Sequence, residues 1–367
     1  MGVFAHRFGC QGAAGTTAPT AGETPALPVH NVKRETRNVK RLLAAYLKGY
    51  PVLVSWQVTY ACNFHCSFCS YWKEEVNFSR EKRAREATLD DFRMGAEKLG
   101  SLGSLLITLA GGEPLLRPDF PEIVAILAQR HFPMATTNGW LVTEEKAKAL
   151  WQAGLQGISV SLDFNDVAVH DENRGQRGAG EQARRAIQIL SRARTRPYQR
   201  VNLMCVLNQR NLEEVEELIR FAAQNRASFM IQPYASIKNG NLAPVPEHPV
   251  SRRLLELKKR YGNFLSSRGF LKRFDCFYAE RGIDGCRAGQ SFFNIDNFLN
   301  VQKCVEFRQQ PIGNLRDLDP QEMILRLRGE HRRNVCKACW YNCRGEVEGL
   351  YSLRGLAAAL PAFLRSV

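Results

Sequence analysis

Short strand-like runs alternate with longer helical patterns through the middle of this 367-residue chain, and this alternation constrains the fold more than any other feature. The predicted strands cover residues 52–59, 104–109, 134–137, 157–162, 201–206 and 229–232. The predicted helices between them cover residues 88–99, 118–129, 143–153, 180–193 and 212–223. Strands that alternate with helices in this way form parallel sheets with crossover helices, so the sequence predicts an α/β fold.

Three cysteines follow the first predicted strand in a C-x3-C-x2-C spacing: Cys62, Cys66 and Cys69. The second predicted strand is followed by Gly111-Gly112-Glu113-Pro114. Three thiolates can hold three irons of a [4Fe–4S] cluster and leave the fourth iron open for a ligand. A structural zinc site is the alternative, but zinc needs a fourth ligand, and His65 is poorly placed to supply it.

With these two motifs the chain resembles the radical S-adenosylmethionine (SAM) enzymes, whose cysteine signature has an aromatic residue where this sequence has Phe68. The resemblance implies that the amino and carboxylate groups of SAM chelate the fourth iron. It also implies that Gly111, Gly112, Glu113 and Pro114 meet the methionyl amino group of SAM. Glycine suits this position because a backbone without Cβ lets a ligand approach closely.

The same resemblance implies a partial (β/α)6 TIM barrel over about residues 50–235. In barrel enzymes the chemistry lies at the C-terminal ends of the strands. Asn138, Ser161, Asp163 and Gln232 all end predicted strands. By resemblance we expect Ser161, Asn138 and Arg174 to bind the ribose and methionyl parts of SAM, with an ordinary turn residue as the alternative for each.

A second group of cysteines follows the predicted barrel: Cys276, Cys286, Cys304, Cys336, Cys339 and Cys343. Between Cys286 and Cys304 the sequence predicts a hairpin with its tip at residues 294–297 and a left-handed Asn297. This part resembles the SPASM and shorter twitch extensions of radical SAM enzymes. The resemblance implies one auxiliary [4Fe–4S] cluster held by Cys286, Cys304 and two or three of Cys336, Cys339 and Cys343. Cys276 has no assigned role, and a zinc ribbon is the alternative.

The chain is long enough for one large domain and one smaller one. We expect a flexible tail over 1–32, a barrel with an N-terminal helix over 33–245, a small cysteine-rich α+β domain over 246–345, and an amphipathic tail over 346–367. Eleven cysteines without an apolar secretion signal predict metal ligation in a reducing, cytoplasmic compartment.

The formal net charge of +15 fits a nucleic-acid or acidic-lipid surface, although solvated helix faces explain basic runs more simply. The sequence contains no compact nucleic-acid motif. No apolar run approaches the roughly 18 residues of a membrane span.

Together these features predict an enzyme that cleaves SAM reductively to a 5′-deoxyadenosyl radical. We expect the radical to take a hydrogen atom from an unidentified peptide, protein or biosynthetic intermediate, with the auxiliary cluster aiding an oxidation. The partners implied are SAM and an external one-electron donor of the flavodoxin or ferredoxin type. One alternative acts on a lipid or sugar at a membrane surface, suggested by the basic helix near residue 40 and the C-terminal apolar stripe. The other is a non-catalytic iron–sulfur or zinc-binding protein.

Overall fold

The computed structural model describes residues 32–351, so the predicted N-terminal tail and most of the predicted C-terminal tail lie outside the described residues. Within them, one nine-stranded sheet has the order β6-β5-β4-β3-β2-β1-β7-β8-β9. Its strands are β1 Leu53–Thr59, β2 Leu106–Gly111, β3 Phe132–Thr137, β4 Gly157–Ser161, β5 Arg200–Leu207, β6 Ser228–Pro233, β7 Phe292–Ile295, β8 Asn300–Gln302 and β9 Gly313–Asn314.

Helices connect these strands, and the longer crossover helices between β1 and β6 cover one face of the sheet. They are α1 Val32–Leu47, α2 Arg80–Ala84, α3 Leu89–Leu102, α4 Phe120–Ala128, α5 Glu144–Ala153, α6 Val167–Arg174, α7 Ala179–Ala193, α8 Val215–Gln224, α9 Ser251–Arg260, α10 Arg268–Leu271, α11 Phe274–Ala279, α12 Pro320–Arg332 and α13 Asn342–Leu350. Several begin at the capping residues that the sequence offers. Thr88 and Thr143 each accept a hydrogen bond from a backbone N–H of the first turn.

The first six strands are parallel, and each pairs with its neighbour in sequence. Along β2, β3, β5 and β6, buried and mostly apolar side chains alternate with half-buried ones, whereas β1 is buried along nearly its whole length. The buried set, such as Ile107, Ile158 and Leu203, belongs to one core together with residues of the helices. The predicted α/β class is confirmed, and the open sheet is compatible with a partial barrel.

The C-terminal strands continue the same sheet. β7 pairs in parallel with β1, and β8 and β9 follow antiparallel, with the predicted hairpin between β7 and β8. The main core also includes Leu315, Leu318 and Leu327 from this part of the chain, beside Trp56 and Phe92. The second cysteine group is therefore built onto the edge of the barrel sheet.

Two local expectations were wrong. The sequence predicts no helix over 167–174, yet α6 forms there, with Asp166 capping its start and Gly175 following its end in a left-handed conformation. In the hairpin, the residue with positive φ is Leu299 at +68° and not Asn297. Asn297 is instead buried, and its Nδ2 donates to Glu86 Oε1 at 2.8 Å.

The basic helix α1 was one reason for considering a membrane surface. Its Leu42 and Ala45 side chains are buried in the protein, whereas Leu43 and Leu47 are exposed. The apolar stripe predicted near the C-terminus lies mostly outside the described residues. In the part of the chain that the structure describes, none of the helices combines the length and apolar character needed to cross a bilayer.

Candidate active site

The loop that carries the first three cysteines is bonded directly to the end of β2. Gly112 N–H donates to Thr59 O at 2.9 Å, and Glu113 N–H donates to Ala61 O at 2.8 Å. These bonds prolong the pairing of β1 and β2 beyond the strands themselves. The two sequence motifs therefore meet at the C-terminal edge of the sheet, which is the edge where barrel enzymes place their chemistry.

The two glycines of this turn are required by a close approach of backbone to backbone. A Cβ at Gly111 would lie 2.0 Å from Thr59 O, and a Cβ at Gly112 would lie 2.0 Å from Ala61 O. Gly111 also has a φ of +135°, which other residues rarely adopt. The backbone at the end of β1 and the start of the cysteine loop thus lies directly beside the two glycines, and their predicted contact with SAM stays a prediction. Pro114 then starts a 3-10 turn.

Glu113 is fully buried and accepts three hydrogen bonds. The donors are Asn138 N–H at 2.7 Å, Thr137 Oγ1 at 2.8 Å and Leu115 N–H at 3.0 Å. Burial raises the pKa of Glu113, and these donors lower it in part. Asn138 Nδ2 donates in turn to Asn63 Oδ1 at 2.9 Å, inside the cysteine loop. The carboxyl group of Glu113 therefore fixes the ends of β2 and β3 against the loop.

Arg174, the last residue of α6, lies beside the first thiol group. Its Nη2 is 2.7 Å from Asp163 Oδ2, and both side chains are buried. Its guanidinium carbon is 5.1 Å from the centre of the Phe68 ring, and the group also hydrogen-bonds Cys66. Burial alone would lower the pKa of Arg174, but Asp163 and Cys66 raise it above its usual value. A permanent cation is thus held against the cysteine loop.

The end of α6 supports the same loop through its backbone. Ser67 N–H donates to Asn173 O at 3.3 Å. A Cβ at Gly175 would lie 2.5 Å from His65 O, so the helix terminus and the loop are in contact. The sequence carried a signal for this helix, because Asp166 is a capping residue and Gly175 a common helix terminator.

The three thiols of the loop form a donor set that fits a [4Fe–4S] cluster. Cys66 is buried, Cys62 and Cys69 are half-buried, and none of them is in a disulfide. Burial raises the pKa of Cys62 to about 12 and that of Cys66 to about 11. Binding to iron would supply the positive charge that favours the thiolate form of these sulfurs.

The face of the sheet opposite the helices is polar where it lies under α13. Asn202 Nδ2 donates to Ser159 Oγ at 3.2 Å, and Ser161 ends β4 on the same face. Asn342 of α13 reaches this face, since its Nδ2 is 3.8 Å from Met204 Sδ. Among the described residues, the Oδ1 atoms of Asn202 and Asn342 are buried without a hydrogen-bond partner, and such atoms are available to a ligand or to water.

Four cysteines of the second group come together. Burial, with smaller contributions from Glu306 and Cys286, raises the pKa of Cys304 to about 12. Burial also raises the pKa values of Cys339 and Cys343 above their usual range, with added contributions from Cys304 and Cys286. Cys286, Cys304 and Cys343 also share a small apolar cluster with Phe292 of β7.

The remaining two cysteines of this group are placed differently. Cys336 is not among the main electrostatic neighbours of the other thiols, and its N–H donates to Asn334 Oδ1 at 3.3 Å. Cys276 is exposed on α11, and its Sγ donates to Glu280 Oε1 at 3.3 Å. Cys336 is among the predicted candidate ligands, and its role stays a prediction.

The spacing of the thiols bears on the zinc alternatives. Within residues 32–351, no three His, Cys, Asp or Glu side chains are close enough together to hold a single metal ion. Ligation of zinc or of an iron–sulfur cluster by these thiols stays a prediction.

Polar and aromatic side chains occupy the region between the two thiol groups. Lys238 Nζ is 5.0 Å from the centre of the Tyr71 ring and 3.1 Å from Glu306 Oε1. Burial raises the pKa of Tyr341, and Glu306 and thiols of both groups raise it further, which places Tyr341 near both. The side chains of this region can contact a molecule that reaches from one thiol group towards the other.

Arg308 links the two parts of the site. It forms an ion pair with Glu74, and its Nη2 donates to Ser70 Oγ at 3.2 Å, directly after Cys69. Its guanidinium carbon lies 5.3 Å and 5.2 Å from the ring centres of Tyr60 and Tyr71. The hairpin that carries Cys304 is thereby fixed to the first cysteine loop.

Sequence reasoning missed most of these intervening residues. Three of them had a signal, because they lie within a few positions of a candidate ligand: Glu306, Arg308 and Tyr341. Lys238 had none, since it follows β6 in a turn without a motif.

Comparison with known proteins identifies the family. Residues 56–222 match the Radical SAM superfamily. The chain is 33% identical over 337 residues to the AdoMet-dependent heme synthase of Methanosarcina barkeri, a match that covers 83% of this chain and 93% of that protein. AdoMet is another name for SAM. The chain belongs to the radical SAM superfamily, and its relatives are enzymes.

Two further proteins are similar over most of the chain. Mycofactocin maturase MftC of Mycobacterium tuberculosis is 26% identical over 281 residues, which cover 73% of this chain and 68% of that protein. The crystal structure of Streptococcus suis SuiB bound to precursor peptide SuiA has a TM-score of 0.58 and 18% identity, and the match covers 80% of this chain and 69% of that chain. This structural likeness supports the fold.

Proposed function

We propose that this radical SAM enzyme oxidises a carbon centre of a biosynthetic intermediate held between its two thiol groups. When bound, a [4Fe–4S] cluster supplies the electron that splits SAM into methionine and a 5′-deoxyadenosyl radical, which takes a hydrogen atom from the substrate. The observation that carries the proposal is the backbone junction between the cysteine loop and the Gly111-Gly112-Glu113 turn. The cytoplasm is the compartment we propose, since the thiols need reducing conditions.

Several residues around this junction would hold the cluster and SAM. Cys62, Cys66 and Cys69 would ligate iron, and the Arg174 cation beside Cys66 would balance the thiolate charge. The methionyl group would lie against the turn that begins at Gly111, and the nucleoside against β3 and β4. The residues proposed for that contact are Phe68, Pro114, Asn138 and Ser161.

An auxiliary [4Fe–4S] cluster would be held by Cys286, Cys304, Cys339 and Cys343. Their mutual proximity and the position of Tyr341 near both groups support a substrate position between the two clusters. An electron left on the substrate after hydrogen abstraction could then be accepted nearby, so the net reaction would be an oxidation. The donor that starts each turnover would be a flavodoxin- or ferredoxin-like protein.

A porphyrin precursor of heme is the substrate class that we propose. The relative named AdoMet-dependent heme synthase matches this chain over 93% of its own length. Porphyrins carry carboxylate side chains, and Lys238 and Arg308 place cationic groups beside the rings of Tyr71 and Tyr60. A peptide is the second candidate, favoured by the likeness to mycofactocin maturase and to SuiB, which was solved with its precursor peptide.

The first test is anaerobic SAM cleavage. The purified protein is reconstituted with iron and sulfide, reduced with dithionite and given SAM, and 5′-deoxyadenosine is measured by mass spectrometry. We expect the product from the wild type and none from Cys66→Ala, with an iron porphyrin raising the yield above that seen with a peptide mixture. Absence of 5′-deoxyadenosine from a fully loaded wild-type protein would refute the proposal.

The second test counts iron in thiol variants. Two [4Fe–4S] clusters give about eight irons per chain, and loss of one leaves about four. We expect Cys339→Ala to fall to about four, because its thiol belongs to the group of four. The matched controls Cys336→Ala and Cys276→Ala should keep about eight. Equal loss of iron from Cys336→Ala and Cys339→Ala would show that the ligand set is a different one.

A further inference from the structure

Residues 71–85, here called the basic segment, cover the outer side of the first cysteine loop. Cys62 N–H donates to Asn77 Oδ1 at 2.8 Å, and Asn77 Nδ2 donates back to Tyr71 O at 2.9 Å. Trp72 Nε1 donates to Cys66 O at 3.2 Å. The basic segment is therefore in direct contact with the backbone that carries the first thiols.

The outer surface of the basic segment is rich in positive charge. Its carboxylates are largely engaged, because Glu74 pairs with Arg308 and Glu75 pairs with Lys82. Within residues 32–351, no carboxylate lies within 4 Å of a charged nitrogen of Lys73, Arg80, Arg83 or Arg85, and Glu81 is the remaining acidic residue. A net positive surface remains next to the cysteine loop.

Aromatic side chains stand among these charges. Phe78 is 77% exposed, which is unusual for so large an apolar side chain. Trp72 is half-buried, and Lys73 Nζ lies 5.0 Å from the centre of its ring. A cavity of about 370 Å³ continues the surface and is lined by Lys82, Arg85, Phe298, Asn300, Asn314 and Arg316. A cationic rim around exposed aromatics is a common composition for protein-binding surfaces.

The exposed basic run on α9 differs in both respects. On α9, Arg252 pairs with Glu256, and Arg253 and Arg260 pair with Glu216 of α8. These residues pack on α8 and α10 and not on the cysteine loop. Of these two basic surfaces, the basic segment is the one joined to the first thiol group.

We propose that the basic segment is the surface on which an acidic one-electron donor of the flavodoxin type docks. The proposal rests on the proposed function, which requires one electron for each SAM cleaved. One electron would leave the reduced flavin of the donor and reduce the first cluster by one, and the oxidised donor would then dissociate. Charge complementarity favours an acidic donor, because it speeds association and orients the two surfaces. Trp72 is half-exposed on this surface, and its Nε1 donates to the backbone oxygen of Cys66. The surface is therefore connected directly to the first thiol group.

The test uses the reconstituted holoenzyme and a purified bacterial flavodoxin. We compare wild type with Arg80→Glu/Arg85→Glu, two exposed positions, and with the charge-matched control Arg252→Glu/Lys259→Glu on α9. Flavodoxin affinity is measured by biolayer interferometry at low and high salt. 5′-Deoxyadenosine is measured with photoreduced flavodoxin and, separately, with dithionite as the reductant.

We expect the basic-segment variant to bind flavodoxin about tenfold more weakly at low salt, with a smaller difference at high salt. Its flavodoxin-driven cleavage of SAM should fall by a similar factor, while its dithionite-driven cleavage stays at the wild-type level. The α9 control should match wild type in all assays.

The proposal would be overturned if the basic-segment variant and the α9 control bound flavodoxin equally well. A parallel loss of dithionite-driven cleavage in the basic-segment variant would also overturn it. Unchanged flavodoxin binding with loss of binding to anionic phosphatidylserine vesicles would assign the surface to a membrane and also overturn it. If wild type makes no 5′-deoxyadenosine even with dithionite, the proposed function fails, and the affinity measurement still decides on docking.

Discussion

At the scale of single residues, Arg174 connects more of the candidate site than any cysteine does. Its guanidinium contacts Asp163 after β4, Cys66 in the first loop and the face of Phe68. Asp163 in turn accepts from Val206 N–H at 2.9 Å on β5. A buried ion pair of this kind contributes little net stability, but removal of one partner leaves the other charge uncompensated.

Arg174→Met should therefore destabilise the protein by about 3 kcal/mol or more, because the buried Asp163 carboxylate loses its counter-charge. Asp163→Asn keeps the shape and most hydrogen bonds of that side chain and removes its charge. In the Arg174→Met background it should restore at least about 1 kcal/mol, measured as the free energy of unfolding in guanidinium chloride. If the double variant is as unstable as the sum of the two single variants, the charges of the pair are not coupled.

At the scale of elements, the turn after β2 depends on two glycines for contact with the cysteine loop. Gly112→Ala places a Cβ 2.0 Å from Ala61 O, closer than real contacts allow, so the turn or the loop must move. We expect the variant to lose about half of its iron, because the first thiols are displaced while the second group is not. Gly262→Ala is the matched control, since its Cβ would meet no atom within 4 Å. Full iron content in Gly112→Ala would show that the loop tolerates the shift.

Strand and helix patterns in the sequence predicted the elements well where a side-chain period repeats. β1, β4 and β5 lie within one residue of their predicted ends at nearly every boundary, and Pro233 ends β6 as expected. Prediction failed where tertiary contacts override local preference. Asn297 was expected in a left-handed turn, but its bond to Glu86 holds it inside, and Leu299 takes the strained position.

The same distinction applies to the candidate site. The thiols and the Gly111-Gly112-Glu113 turn were visible because their chemistry requires particular residue types at a fixed spacing. The contacts that Glu113 and the glycines make within the protein were not visible, because they depend on the neighbour that each one meets in space. Lys238 could not be predicted for the same reason, since its position beside Glu306 and Tyr71 depends on residues far apart in sequence.

At the scale of the whole molecule, the barrel and the cysteine-rich part share one sheet and one core. Four residues of β1 pair with β7, with Leu53 opposite Phe292 and Trp56 opposite Ile295. On the helical side, Lys98 Nζ donates to Leu315 O at 2.9 Å and to Leu318 O at 3.1 Å. The domain boundary near residue 245 stays a prediction, but these contacts indicate that the two parts stabilise each other.

A chain that ends at residue 245 should therefore fail to fold independently. It would expose the edge of β1, an apolar strand whose backbone groups would be left unpaired, and such an edge promotes aggregation. It would also uncover Trp56 and Phe92, which lie in the core that includes Leu315. We expect this truncation to aggregate in size-exclusion chromatography and to lack a cooperative thermal transition by circular dichroism.

The control is a chain of residues 32–351, which keeps every described element and should unfold cooperatively. A monomeric truncation with a cooperative transition would show instead that the barrel is a self-sufficient domain on which the second thiol group is only docked.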